Sequence, residues 1–469
     1  MLTNATSPAL RRHRARSRAL VSLYLAALAV GCSGLLDVEN PNNVNQDNLN
    51  NPAAAGPLAN GALSATARAW GTVLTPYSEA TDELTWIGSR DAWGDLDQGY
   101  LTGITNEFVD AAFPSLAQAR WLSDEAIKRL RAFDSAGVLP NRADLARSYL
   151  YGAIAYVTIA DMFDDWPIGS DRTQAAAPLG PANMAQVYDT AIAYTTRGIA
   201  IARAAGDAAL ELNLTAMRAR ARHAQGVWRK LNPFTAATLT SPLVNDPAAV
   251  ADANSVLTLA PTPDWKYQFN YSSTTIGTSI GFEVNQRLES RFGDPYVVPT
   301  SDGKRVQGCD STIGCQIRLR DPIDAVPDPV LLGTITAFTK GVQYGSLTVV
   351  SKREMYLILA EAKLAQNDSV GAATFINNIR ALNQKSAADT TKLTPYDPLN
   401  AAHPRALAMY QHERRVNLFL QGRRLADHYR FGVPADKWPA NAEAVLLPGT
   451  VFPITNTEIL ANCHIQGTC

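Results

Sequence analysis

The chain has 469 residues, 46% of them apolar, which is enough for one large domain or two or three small ones. Its 42 Lys and Arg stand against 43 Asp and Glu, with no basic stripe or RNA-binding motif, which excludes a nucleic-acid binder held by phosphate charge. The six histidines lack ligand spacing, so no metal site is expected; no P-loop, dinucleotide fingerprint or nucleophile elbow calls for a cofactor or acyl-transfer chemistry.

The N-terminus opens with a basic segment, RRHRARSR (11–18), and an apolar run, ALVSLYLAALAV (19–30), too short to span a bilayer. Small residues then lead to Gly31-Cys32, the pattern of a bacterial lipobox whose cysteine is acylated and becomes the mature N-terminus. Each buried CH₂ of an acyl chain contributes roughly 0.8 kcal/mol, so two or three chains anchor stably where one does not. The expectation is a lipoprotein signal peptide over 1–31 and a lipid anchor on Cys32. Residues 32–60, Asn-rich and broken by prolines, read as an extended lead, and 61–469 as a single domain.

The stretch TDELTWIGSRDAWGDLDQGY (81–100) sets five carboxylates beside two tryptophans and a tyrosine. A retaining glycosidase needs two carboxyls about 5–5.5 Å apart and an inverting one about 6.5–9.5 Å, with one of the pair raised in pKa. A sugar-holding surface uses the same residue types differently: rings lie against the apolar face of the sugar while acids, amides and arginine meet its hydroxyls. A third reading is a structural loop in which Arg90 pairs with Asp91 or Asp95. On the hydrolase reading, Asp91→Asn or Asp95→Asn would abolish turnover.

Helical patterning follows. In LARSYLYGAIAYVTIADMF, residues Tyr149, Gly152, Ala153, Tyr156, Ala160 and Phe163 share one stripe. Ala-rich helices are expected over 184–206 and 214–232. Residues 233–345 differ, being rich in Pro, Gly, Asp, Ser and Thr, with YVV (296–298) and SLTVV (346–350) as candidate strands. So much irregular chain is a functional surface or disorder, and its aromatics argue for order. Within it WKYQFNY (265–271), RFGDPYVV (291–298) and Tyr344 form a second candidate ligand surface. A helical hairpin is clearest over 351–382, where Met355, Ile358, Leu359 and Ala362 face Ala372, Phe375, Ile376 and Ile379 across a QNDS turn, with Asp368 or Ser369 as N-cap. The hairpin is of tetratricopeptide type, without a strict 34-residue period.

Cys309 and Cys315 share a C-x₅-C spacing with Cys463 and Cys469. In an oxidising compartment each pair can close a small loop worth roughly 2 kcal/mol, and pairing between the two sets is also open.

Four stretches resemble, in order, the SusD/RagB family of outer-membrane nutrient-binding lipoproteins: the lipobox with LLDVENPN; ARSYLYGAIAYVTIADMFDDWPI; SKREMYLILAEAKLAQND with AATFINNIRAL; and HERRVNLFLQGRRLADHYRFG with FPITNTEILANC. This chain departs from the family pattern at Asn417 and Gln421, where Glu is usual, at His428-Tyr429, and in its Cys-bounded end. The resemblance implies a mainly α body of tetratricopeptide-like hairpins with a loop-rich ligand-binding region about 233–345. It also implies a non-enzymatic, lipid-anchored protein at the cell surface that binds glycan or another oligomeric nutrient and passes it to a SusC-like TonB-dependent barrel. Glu413, Arg424, Asp427 and Arg430 are then structural ion-pair members. The loop after the first long helix becomes a ligand face, with Asp82, Trp86, Arg90, Trp93 and Asp95 as contacts alongside Tyr296. Alternatives are a surface glycoside hydrolase and a peptide-binding protein of the same fold.

Overall fold

Capping residues stand ahead of most of the long helices, and a mainly helical chain follows from them. The computed structural model describes residues 48–170, 174–309, 314–340 and 343–469; the expected signal peptide, Cys32 and most of the lead lie outside them. Residues from Pro52 to the C-terminus form one unit. Its first long helix, α1 (Ala55–Glu79), begins inside the stretch read from sequence as extended lead. Pro57 falls in the first turn of α1, where a missing N–H leaves no intrahelical bond unmade.

The side-chain oxygen of Asn106 accepts from the N–H groups of Phe108 and Val109 and starts α3 (Glu107–Ser135), after the short α2 (Asp91–Asp97). Asn141 starts α4 (Arg142–Met162) in the same way, and α5 (Ala185–Ala204) follows. Asp207 caps α6 (Ala208–Leu231), and Asp246 with Pro247 starts α7 (Pro247–Leu259). The helices α1, α3, α4, α5 and α6 pack as successive hairpins. The stripe expected along α4 is wider than its pattern suggested: Leu145 through Ala160 are buried on every side except at Arg147, because helices cover α4 all round. At α5, Gly198 allows close approach, since a Cβ there would lie 2.8 Å from Leu214 of α6.

The stretch 233–345 is less irregular than its composition implies, holding α7 and α8 (Pro329–Lys340). Of the two expected strands, SLTVV forms β4 (Leu347–Ser351), which pairs antiparallel with β2 (Lys266–Phe269). YVV contributes only an isolated bridge, Val297 to Ile317. A second ribbon joins β1 (Leu84–Trp86) to β3 (Ser290–Phe292), with Thr85 opposite Arg291. The hairpin at 351–382 is present as α9 (Lys352–Ala365) and α10 (Ser369–Arg380), with Asp368 as the cap of α10 and Asn367 at φ +61° in the turn. The C-terminal part holds α11 (Ala406–Asn417) and α12 (Arg424–Phe431). The cysteines pair within each set, Cys309 with Cys315 and Cys463 with Cys469. Among the described residues no helix is long and apolar enough to cross a membrane.

Buried ion pairs tie α9 to the C-terminal helices. Glu361, fully buried on α9, accepts from Arg430, Tyr410, His223 and the N–H of Val244. Burial alone would raise its carboxyl, but Arg430 and His223 beside it hold it well below the usual carboxylate range. All four residues expected as structural pair members are paired, mostly with partners outside the four. Asp427 accepts from Arg414 at 2.8 Å and Arg430 at 2.9 Å; Glu413 lies 3.3 Å from Arg380, and Arg424 reaches Asp82. Breaking one side of such a pair leaves a buried charge unmatched. Glu361→Gln is therefore expected to cost about 3–5 kcal/mol, read as a lowered midpoint in urea unfolding; a loss of less than about 1 kcal/mol would show that Arg430 finds another anion.

Candidate functional site

The acid- and aromatic-rich stretch 81–100 is a tied corner, and two of the five residues proposed from it as ligand contacts, Asp82 and Trp93, are buried, as is Tyr296. Asp82 is 4% exposed. It accepts from Arg424 Nε and Nη2 at 2.7 Å each, from Arg415 Nη2 at 3.0 Å and from the Tyr296 hydroxyl at 2.8 Å. Burial opposes its ionisation, yet the Arg424 guanidinium holds its pKa well below the ordinary carboxylate value. Tyr296 itself is 0% exposed, with the Arg415 guanidinium 4.4 Å over its ring. Trp93 is 1% exposed and stacks on Phe108 at 3.4 Å. These three serve the interior, because partners more than 200 residues away in sequence, or on α3, close over them.

Trp86, Arg90 and Asp95 keep some surface. Trp86 lies against α2, where Gly94 makes room: a Cβ there would sit 2.8 Å from the indole. Arg90 pairs with Glu107 rather than with Asp91 or Asp95, and its guanidinium stands 4.7 Å over Phe108. Glu289 ties the tip by accepting from the N–H groups of Ser89 and Arg90 at 2.8 and 3.1 Å. Asp95 is exposed on α2.

The carboxyls here do show the split in acidity that a glycosidase uses. Burial raises Glu83 to about 7 while its neighbour Asp82 is held low. Access fails instead: both are buried, and the Glu83 oxygens accept from the N–H of Leu420 at 2.9 Å and the Ser78 hydroxyl at 3.1 Å. Glu83 therefore acts in stability. Its native pKa lies above the ordinary 4.5, so the native state holds a proton that the unfolded chain releases, and the chain loses stability through this group as pH rises from about 4.5 to about 7. Glu83→Gln is expected to gain on the wild type by on the order of 2–3 kcal/mol between about pH 5 and about pH 8, measured by urea unfolding at both. A difference that does not change with pH would mean that Glu83 is ionised in the native protein.

The polar, open site lies elsewhere. A groove of about 370 Å³ runs between the β2–β4 ribbon, α8 and the segment after α11. Strand alternation builds one side: Tyr267 and Phe269 turn to the core, leaving Lys266 and Gln268 to line the groove. The N-terminal turn of α9 supplies Arg353, whose guanidinium is held by Asp264 at 2.7 and 2.9 Å, Asn417 at 2.7 Å and Asn383 at 3.0 Å. Gln421 donates to the carbonyl of Asn417 at 2.8 Å, and its buried Oε1 has no hydrogen-bond partner. Phe338, Phe419 and Leu347 add apolar surface. The groove is thus lined by amides, hydroxyls and two cations beside aromatic edges, suited to a ligand with many hydroxyl or amide groups.

Of the sequence-based candidates, WKYQFNY contributes its polar residues to this groove instead of its rings; Tyr271 is buried with its hydroxyl donating to the Ala67 carbonyl at 2.8 Å. Gln268 lies within that candidate stretch, whereas nothing in the sequence marks Asn383 or Arg353. Asn417 and Gln421 are marked, but only as departures from a pattern; the replacement of acids by neutral amides was the available signal. The four cysteines are consumed in disulfides, so the grouping of Cys463, His464 and Cys469 has no free thiolate for a metal.

Residues 353–446 match the SusD family model. In three dimensions the chain is similar to a SusD superfamily protein from Bacteroides fragilis, at 14% identity and TM-score 0.58 over 88% of this chain and 98% of that one. It is also similar to a SusD superfamily protein from Parabacteroides distasonis, at 13% identity and TM-score 0.57 over 88% and 98% of the two chains. A third likeness is to surface glycan-binding protein A from Bacteroides uniformis, at 13% identity and TM-score 0.54 over 87% and 98%. No curated protein matches the sequence.

Proposed function

We propose, from the match of residues 353–446 to the SusD family model and the fold shared with SusD superfamily proteins, that this chain is a lipid-anchored glycan-binding protein of the outer membrane, which captures oligosaccharide in the groove beside β2 and passes it to a SusC-like TonB-dependent barrel. The observation that carries the reading is the groove itself, an amide-rich trough with an unpartnered Gln421 Oε1 on a fold shared with a surface glycan-binding protein. Neutral side-chain amides and hydroxyls exchange hydrogen bonds with sugar hydroxyls at little desolvation cost, and the Phe338 and Phe419 edges suit the sugar's CH surface. The basic start, short apolar run and Cys32 supply the anchor, and the role is binding without catalysis, since the acids with split pKa values are buried.

The test is titration of the wild type with a glycan panel and a peptide panel side by side, with assay of each glycan for turnover. At least one oligosaccharide is expected to bind, and the double variant Lys266→Ala, Gln268→Ala to weaken it about tenfold or more while the melting temperature stays put, because both side chains sit at the groove and not in the core. Binding of peptides alone would assign the groove to peptide, and turnover of a bound glycan would make the protein a hydrolase. Co-purification with a TonB-dependent barrel from the outer membrane is the expected partner result.

A further inference from the structure

A second cavity, of about 230 Å³, lies among α4, α5, α6 and α12, away from the groove. Its lining grades from Tyr77, Tyr188 and Arg220, each 1% exposed, to the exposed Thr102, Pro181 and Asn232, so it opens to solvent at one end. The volume is smaller than the roughly 300–1,000 Å³ of pockets for drug-sized ligands and larger than the roughly 150 Å³ that admits an unsubstituted benzene ring. One substituted ring fits.

The deep end is charged but neutral in sum. Four acids and three arginines line the cavity; the exposed Asp164 has no arginine, and each of the other three acids has its own: Asp161 with Arg220 at 3.1 Å, Glu354 with Arg423 at 2.9 Å, and Asp427 with Arg414 at 2.8 Å. His223 also lines it and is paired outward, to Glu361 at 2.8 Å. Among these three pairs no unmatched charge is left to attract an ion, an anion would also meet Asp164, and a charged ligand would have to displace a buried pair. Hydrogen-bonding capacity does remain. Asp161 accepts one bond from Tyr188 at 2.7 Å and one from Arg220, leaving lone pairs over, and the buried Arg220 Nε has no partner. A group that donates to a carboxylate and accepts from a guanidinium is a hydroxyl. The lining also holds aromatic surface, from Phe163, Trp228 and Tyr429.

We propose that this cavity is a second binding site, for a single neutral cyclic polyol of monosaccharide size, its CH face on the aromatic wall and its hydroxyls on Asp161 and Arg220. This site stands whether or not the groove binds glycan.

The experiment titrates the wild type with glucose, galactose, mannose, xylose and arabinose, and with glucuronate as the charged counterpart, following tryptophan fluorescence and calorimetry. At least one neutral sugar is expected to bind with a change in emission from Trp228, and glucuronate to bind at least about tenfold more weakly. Ala224→Phe fills the space from α6 and Val451→Trp narrows it from the segment after α12; each is expected to abolish the signal, and the two guard against one variant failing to fold, which circular dichroism checks. The groove variant Lys266→Ala, Gln268→Ala should bind the monosaccharide like the wild type, so loss of oligosaccharide binding with this signal retained counts against the groove reading alone. The proposal is overturned if no neutral sugar binds, if glucuronate binds as tightly, or if both filled variants that fold still bind.

Discussion

The pairing of buried guanidinium groups with carboxylates from distant parts of the chain is the constraint on which the arrangement rests. Arg423, Arg424 and Arg430 leave one short segment in different directions, to Glu354, Asp82 and Glu361. Such pairs gain little over a well-packed apolar contact, because taking two charges out of water costs several kcal/mol each. Mismatching them is far more expensive, so they select one assembly from many that bury the same apolar surface. Asp82 is 342 residues from Arg424, and their bond holds the corner after α1 against the C-terminal helices.

That constraint explains why the carboxylates of the acidic stretch differ so sharply. Asp82 and Glu83 are neighbours, both buried, and shifted in opposite directions. The difference lies in what reaches them: two arginines meet Asp82, while Glu83 receives only a backbone N–H and a hydroxyl. Two hydrogen bonds do not offset full burial of a carboxylate, whereas bidentate pairing does. A local composition that suits a glycosidase therefore becomes a structural joint once its partners arrive from elsewhere.

What was legible in the sequence follows the same division between near and far. The α9–α10 hairpin and its Asp368 cap depend on residues three and four apart, and both are as read. The cystines also close locally, whereas the ion-pair partners of Glu413 and Arg424 lie far off in sequence, at Arg380 and Asp82. The fates of Trp93 and Tyr296 depend on what covers them, on α3 for one and on Arg415 for the other, and no spacing within their own stretches carries that information. Only the WKYQFNY side of the groove is legible in the sequence, for a related reason. Its lining comes from β2, α8, α9 and the segment after α11, each giving one or two polar residues that look like ordinary surface in isolation. WKYQFNY offers rings and polar groups alike, and the fold turns the rings of β2 inward and its polar residues outward.

The segment from Asn417 to Arg423 joins these themes, because it is the wall between the two open sites. Asn417 and Gln421 line the groove, whereas Gly422 and Arg423 line the inner cavity. Successive side chains can face both ways because the backbone turns through positive φ twice, at Leu420 (+56°) and Gly422 (+72°). At Gly422 the lack of a Cβ makes this easy, but at Leu420 it costs on the order of 1 kcal/mol and must be held in place. The group that holds it is Glu83, whose carboxyl accepts from the Leu420 N–H. The acid-rich stretch that resembled an active site thus shapes the groove and the cavity at one remove. It fixes the strained residue that lets one short segment present amides to the groove and an arginine to the cavity.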